Sequence, residues 1–260
     1  MITGSSVMSR WLQPAVHEGL DPDAYDSAAD VPYDIPNFHV EYVREEPLGV
    51  PTGFWRGVGP GHNVFVVESF IDELAHEAGQ DPVMFRRAML QKSARLLAVL
   101  DLAAQKAGWG NPLPPRVGRG VAIQSSFASW IATVAEAEVD EDGDVRLRRL
   151  VCAVGCGLVV NPDTVIAQLQ GGPIFGLSAA PWGEITLDRG RVQQGKFNDY
   201  RVLRIDETPP IEVHIVPSGE TPGGIGEAGT VAGPPALANA IFAATGKRLR
   251  KLPIRNEDLA

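Results

Sequence analysis

An α+β fold, with mixed and largely antiparallel sheets and packed helices, is what this sequence of 260 residues predicts. Three observations carry that expectation. The first third of the chain has apolar residues at helical spacing, and the second half changes to short alternating runs joined by turn signals. A proline-rich stretch, Asn111 to Gly118 ("NPLPPRVG"), separates the two regimes. The strands come as hairpins instead of alternating one by one with helices, which argues against a doubly wound parallel sheet.

In chain order, "MITGSSVMSRWLQP" (Met1 to Pro14) is apolar and strand-like, as though it began in mid-domain. "EGLDPDAYDSAADVPYDIPN" (Glu18 to Asn37), rich in Asp and Pro, predicts an extended loop. "FHVEYVRE" (Phe38 to Glu45) alternates as a strand does. Val66, Val67, Phe70, Ile71, Leu74 and Ala78 fall on one face of a helix that Gly79 stops. Asp81-Pro82 then opens a second helix, with Asp as the cap and Pro in the first turn. "SARLLAVLDLAAQKAGWG" is a third, ending at Gly108. Beyond the proline-rich stretch, "TVAEAEVDEDGDVRLRRLVCAV" predicts a hairpin turning at Asp142-Gly143. Asn161-Pro162 starts a helix that carries the pair Gly171-Gly172. "GEITLDRGRVQQ" is a second hairpin, "IEVHIVPS" a strand, and "PPALANAIFAATG" a final capped helix. The division expected is 1–115 and 116–260.

Composition narrows the function classes. A formal charge of -9 makes the chain a poor binder of nucleic acid or anionic membranes. The basic run Gly246 to Lys251 ("GKRLRK") is expected to decorate a solvated strand after the last helix. The two cysteines, Cys152 and Cys156, form no disulfide framework and no structural zinc pattern, so both read as buried thiols. No basic n-region followed by an apolar h-region opens the chain, and no apolar run approaches ~18 residues. The expected localisation is cytoplasmic or periplasmic, with export alongside a partner, no signal peptide and no membrane span.

"GGIGEAG" (Gly223 to Gly229) matches G-x-G-x-x-G between a strand and a helix. A dinucleotide fingerprint would open a βαβ unit, yet only 31 residues follow Gly229. Glu227 also places a carboxylate where a pyrophosphate's charge would lie. Two readings remain for the residues themselves. One is a plain turn, with Glu227 near the positive end of the next helix. The other is a loop whose glycines let the backbone pass close to a bulky ligand while presenting a general base.

Four segments, in order, carry a resemblance. They are "GFWRGVG" (Gly53 to Gly59), "NVFVVESFIDELAHEAGQDPVMFR" (Asn63 to Arg86), "NPDTVIAQLQGGPIFGLSAA" (Asn161 to Ala180) and "PGGIGEAGTVAGPPALANAIFAATGKRLRKLPI" (Pro222 to Ile254). Together they resemble the carboxyl-terminal part of the large subunit of the xanthine dehydrogenase family of molybdenum hydroxylases. The nearest type is the isoquinoline 1-oxidoreductase beta-subunit type, with its aldehyde-oxidising kin.

That resemblance implies the molybdopterin-binding α+β fold of those enzymes. It implies a molybdenum–molybdopterin cofactor, usually a cytosine dinucleotide in bacterial members, shared here with another chain. It implies hydroxylation of an aldehyde or N-heteroaromatic carbon with water-derived oxygen, a glutamate taking the proton from the hydroxyl on the metal. Electrons would leave through [2Fe-2S] clusters on an iron–sulfur small subunit. The implied partners are that subunit, a chain supplying the amino-terminal half of the large subunit, and a small-molecule substrate. Glu227 matches the family's glutamate. Arg56-Gly57-Val58-Gly59 matches the loop that approaches the metal's oxo ligand, with Arg56 orienting substrate or cofactor. Gln168, Gly171 and Gly172 match the helix that passes the pterin, and core helix crossing explains the glycine pair equally well. Gln124, Ser125 and Ser126 fall where the family has polar cofactor contacts, or at a strand end. Gly224 and Gly226 belong to the glutamate loop. No protein ligand to the metal is expected. His62 stands beside the arginine loop with no role assigned, and Asp163 reads as a helix-dipole partner.

The chain also departs from the family. No glycine-rich segment of the GGGFG kind precedes residue 53, and the family's large chain usually exceeds twice this length. Ala228 stands where proline is common, and Gly155 where an aspartate is expected. These departures leave an alternative: a non-catalytic partner or truncated fragment that assembles with other subunits but binds no cofactor alone.

Overall fold

In a computed structural model, residues 21–43 and 53–259 are described. Among them are six helices and six strands. The helices are α1 (Pro22–Tyr25), α2 (Pro60–Glu77), α3 (Pro82–Met89), α4 (Ala94–Ala107), α5 (Pro162–Trp182) and α6 (Gly233–Thr245). The strands are β1 (Val117–Ser126), β2 (Ser129–Val139), β3 (Val145–Gly155), β4 (Leu187–Asp188), β5 (Arg191–Val192) and β6 (Ile211–Ile215). A four-stranded sheet runs β1-β2-β3-β6. Its first three strands are antiparallel, and β6 lies parallel to β3, pairing Leu150 with Ile211. The sheet is therefore mixed and largely antiparallel, and the fold is α+β.

Alternation along the strands sorts side chains to two helix-covered faces. Ala122, Ala135, Ala137, Leu150 and Cys152 face α6 and the end of α5. Val121, Ile123, Ala132, Val134, Val151 and Ala153 face the side of α2, α3 and α4. That second cluster draws on residues from both sides of the proline-rich stretch. β1 has the sequence "VGRGVAIQSS" because α6 lies directly on it: a Cβ at Gly118 or Gly120 would collide with backbone of Ala236 to Ala244. Glycine here is a packing requirement.

Local signals set the helix ends. Asp81 Oδ1 accepts from the amides of Val83 and Met84, both at 2.9 Å, and Asn161 caps α5 in the same way. Gly79, Gly108 and Gly246 end their helices in the left-handed region. The β2–β3 hairpin is wider than its Asp-Gly pair suggests. It closes through five residues, Asp140–Asp144, organised by Asp140 Oδ1 accepting from the amides of Asp142 and Asp144. The β4–β5 hairpin is present over two residues per strand.

Several expectations need correction. The apolar stripe expected on α2 is only partly turned to the core. Val66, Phe70 and Leu74 are exposed, whereas α2 buries Val64, Glu68, Ser69, Ile71, Asp72 and Ala75. Helical spacing fixes a stripe, not which stripe meets the core, and polar partners elsewhere drew Glu68 and Asp72 inward. Phe38 to Val43 form no strand among the described residues; Arg44 and Glu45 lie outside them. Asp21-Pro22 opens the one-turn helix α1 inside the segment expected to be an extended loop. The opening Met1 to Pro14 also lies outside the described residues. The basic run is neither a strand nor solvated throughout. Arg248 is 8% exposed, pairs with Asp72 at 2.8 Å and stacks on Phe242. Both cysteines are buried and free. Among the described residues no helix is long and apolar enough to cross a membrane.

Candidate functional site

Three segments far apart in sequence meet at Glu227. β6 delivers the chain to a loop, Val216 to Gly226, which docks on the β1–β2 turn. Gly224 N–H donates to Phe127 O at 2.6 Å, and Ser129 Oγ donates to Gly224 O at 2.9 Å. Glu227 then opens a 3-10 turn, Ala228–Thr230, that leads into α6. Its carboxylate Oε1 accepts the Gly57 amide at 3.2 Å.

The arginine loop comes from the other side. Gly57 and Val58 both have positive φ, +103° and +49°, directly before α2. That conformation is strained for valine and open to glycine. Arg56 lies along the glutamate loop. Its Nε donates to Gly226 O at 3.0 Å, and its Nη2 donates to Gly226 O and, at 2.8 Å, to Gln168 Oε1. Gln168 stands on α5, 112 residues from Arg56.

The glycine pair on α5 divides its work. Gly172 is buried, and a Cβ there would come within 3.1 Å of Gly229 Cα. Gly176, one turn on, would collide with the carbonyl of Thr230. So Gly172 and Gly176 form a groove that seats the turn after Glu227, which is the helix-crossing reading. Gly171 and Gly226 differ: a Cβ on either meets nothing within 4 Å. Gly226 carries the carbonyl that the Arg56 fork holds, and Gly171 lies three residues along α5 from Gln168.

The remaining candidates lie deeper. Gln124 is 1% exposed at the end of β1 and donates to Ala228 O at 3.2 Å, and Ser126 donates to Gln124. They support the turn from beneath. Ser125 is half-buried opposite Trp130, at the strand end. Gly59 packs against the backbone of Asp23. Burial lowers the pKa of His62, and its Nδ1 has no hydrogen-bond partner.

Two aromatic residues of the site escaped notice in the sequence. Trp55 and Phe175 stack with ring centroids 4.9 Å apart, and the Arg56 guanidinium lies 5.8 Å from the Phe175 ring. Helical spacing was the available signal, because Gln168, Gly171 and Phe175 fall on one face of α5. Two clefts of about 490 and 590 Å³ lie elsewhere, meeting at Val145, Pro181, Trp182, Glu207 and Ile254. Neither includes Glu227, which is itself half-buried. Among the described residues no group of three or more His, Cys, Asp or Glu gathers to hold a metal.

Comparison with known proteins identifies the family of the chain. Residues 75–209 and 18–90 each match a molybdopterin cofactor-binding domain. The chain is 33% identical, over 94% of its length, to the membrane-bound aldehyde dehydrogenase [pyrroloquinoline-quinone] of Gluconacetobacter polyoxogenes, and covers 35% of that protein. It is 33% identical to the beta chain of isoquinoline 1-oxidoreductase from Brevundimonas diminuta, over 86% of this chain and 29% of that one. With a nicotinate dehydrogenase chain of Pseudomonas putida it shares 36% identity, over 87% of this chain and 20% of that one. The chain thus spans a fifth to a third of the length of these relatives. Among solved structures, quinoline 2-oxidoreductase from Pseudomonas putida 86 superimposes with a TM-score of 0.69 at 13% identity, covering 80% of this chain and 52% of that one. At that identity the likeness is one of fold.

Proposed function

Because this chain belongs to the molybdopterin cofactor-binding domain family, as part of a molybdenum hydroxylase large subunit, we propose that Glu227 is the general base of its site. The chain also lends part of a molybdopterin pocket to an enzyme that hydroxylates an aldehyde or N-heteroaromatic carbon with water-derived oxygen. The names of the relatives, which act on aldehyde, isoquinoline and nicotinate, support that substrate class. In this reading residues 1–115 bring the arginine loop and 116–260 the glutamate loop. A chain carrying the rest of the large subunit and an iron–sulfur small subunit complete the enzyme.

The residues present fit such a cofactor. Gly171 and Gly226 leave room for a flat group to lie against the backbone. The Gln168 carboxamide and Arg56 guanidinium border that room with donors suited to pterin and phosphate oxygens. When bound, the cofactor, in its cytosine dinucleotide form, supplies the two-electron acceptor. This chain supplies the proton acceptor. Glu227 Oε1 is occupied by the Gly57 amide, which leaves Oε2 to take the proton as the water-derived oxygen attacks carbon. Gln124 and the Gly172–Gly176 groove keep the turn behind the carboxylate from moving.

The observation that carries this reading is Glu227 at the meeting point of the arginine loop, α5 and the glycine loop. The test is molybdenum and pterin content of the protein purified with its co-expressed partner chains, and turnover of Glu227→Gln beside it. Loss of a positioned base should lower kcat by about 10²- to 10⁴-fold with cofactor retained. Full turnover of that variant would overturn the role.

A further inference from the structure

We propose that Arg56 is a positioning residue, clamping the glutamate loop to α5 so that the Glu227 carboxylate keeps its aim; this rests on Glu227 being the base. Two of the three guanidinium nitrogens are committed to protein acceptors, Gly226 O and Gln168 Oε1. A planar fork held at two acceptors fixes a direction as well as a distance. Gly226 O belongs to the peptide plane that carries Glu227 N. Anchoring that oxygen therefore fixes the plane from which the Glu227 side chain departs.

The same loop acts on the carboxylate directly. Gly57, the residue after Arg56, donates its amide to Glu227 Oε1, from a backbone with φ of +103°. A side chain at 57 would be strained and would press on Val231 Cγ2 at 3.3 Å. Arg56 and Gly57 together grip both ends of one residue, Glu227, by the preceding carbonyl and by the carboxylate. No ion pair joins Arg56 to Glu227 among the described residues. The cation thus orients the loop and does not neutralise the base.

The experiment uses the co-expressed complex with Arg56→Lys, Gln168→Leu and Glu227→Gln. Hydrogen exchange over residues 223–230 reads the clamp independently of turnover. Lysine keeps the charge but loses the fork, so exchange there should rise about tenfold or more, as expected for a lost charge-assisted bond. Gln168→Leu lies on a half-buried helix face and should raise it in the same direction. Misplacing the base should lower kcat about 10- to 100-fold while KM stays within about twofold. Unchanged exchange in both variants would overturn the clamp. So would a raised KM with kcat kept, since Arg56 would then be touching substrate. Glu227→Gln reads the premise separately: native exchange with lost turnover supports it. Full turnover sinks the base reading, and the exchange result still decides the clamp.

Discussion

Arg86 donates through Nε to Glu68 Oε2 at 3.0 Å, and neither side chain is more than 2% exposed. This pair ties α3 to α2 and does more. Glu68 Oε2 also accepts the Ile123 amide at 2.9 Å, and Tyr33 Oη donates to Oε1. Asn239 on α6 donates to Val121 O at 3.1 Å. Two backbone groups on the outer edge of β1, Ile123 N–H and Val121 O, are thereby satisfied by side chains. Asp72 joins the network by pairing with Arg86 at 3.5 Å and Arg248 at 2.8 Å. Two carboxylates face two guanidinium groups, and the pKa of Arg86 is raised by the neighbouring charges against the opposing effect of burial.

Breaking one side of that pair leaves the other charge buried and unpaired. Arg86→Met should lower the unfolding free energy by about 3–5 kcal/mol in urea denaturation. In a double-mutant cycle with Glu68→Leu, the coupling should reach about 1–3 kcal/mol. Simple additivity would show that the pair does not act as a unit.

Two of the three glycines of α5, Gly171 and Gly176, should respond oppositely. Gly171→Ala adds a methyl to open space and should stabilise the helix by up to about 1 kcal/mol. Gly176→Ala pushes into the Thr230 carbonyl and should cost about 1–3 kcal/mol. Thermal unfolding checks both. Equal shifts would mean that the turn after Glu227 does not rest in this groove.

Stability should fall as pH drops through the histidine range. Burial disfavours the charged form of His62, so its folded pKa lies below the ordinary 6.5. The unfolded chain then binds more protons between the folded value and about 6.5, and stability rises with pH across that window. Above it the contribution is fully present; below the folded pKa it is lost. His62→Gln should flatten this part of the curve. An unchanged slope would assign the effect to another group.

Cys152 should be inert in the folded protein. Burial pushes its thiol up to about 12, against a small opposing effect of Thr133. At neutral pH almost no thiolate exists, and none is accessible. A thiol reagent should label it only after denaturant is added. Labelling at the rate of a free thiol under native conditions would contradict the buried placement.

Much of the candidate site was legible in the sequence because it is written in local signals. Glycines flank Glu227, an Asn-Pro pair starts α5, and Gly-Val-Gly follows Arg56. What joins them was not legible. The Arg56–Gly226 contact spans 170 residues, and no spacing rule reaches that far. Nor could the sequence separate Gly171 from Gly172, since neighbours on a helix differ by about 100° in direction and only packing says which way each points.

By itself, the sequence determined the ends of several helices, two of the hairpins, and that one carboxylate sits among glycines. Those depend on backbone conformations that a few residues choose locally. Tertiary structure decided which face of α2 is buried and what the buried charges touch. It also decided that β6 joins β3 in parallel, and that Glu227 is gripped from two sides. Each of these depends on partners brought together by folding. A Glu, an Asp and two Arg residues look like surface in the sequence, and only their mutual pairing makes burial of all four favourable.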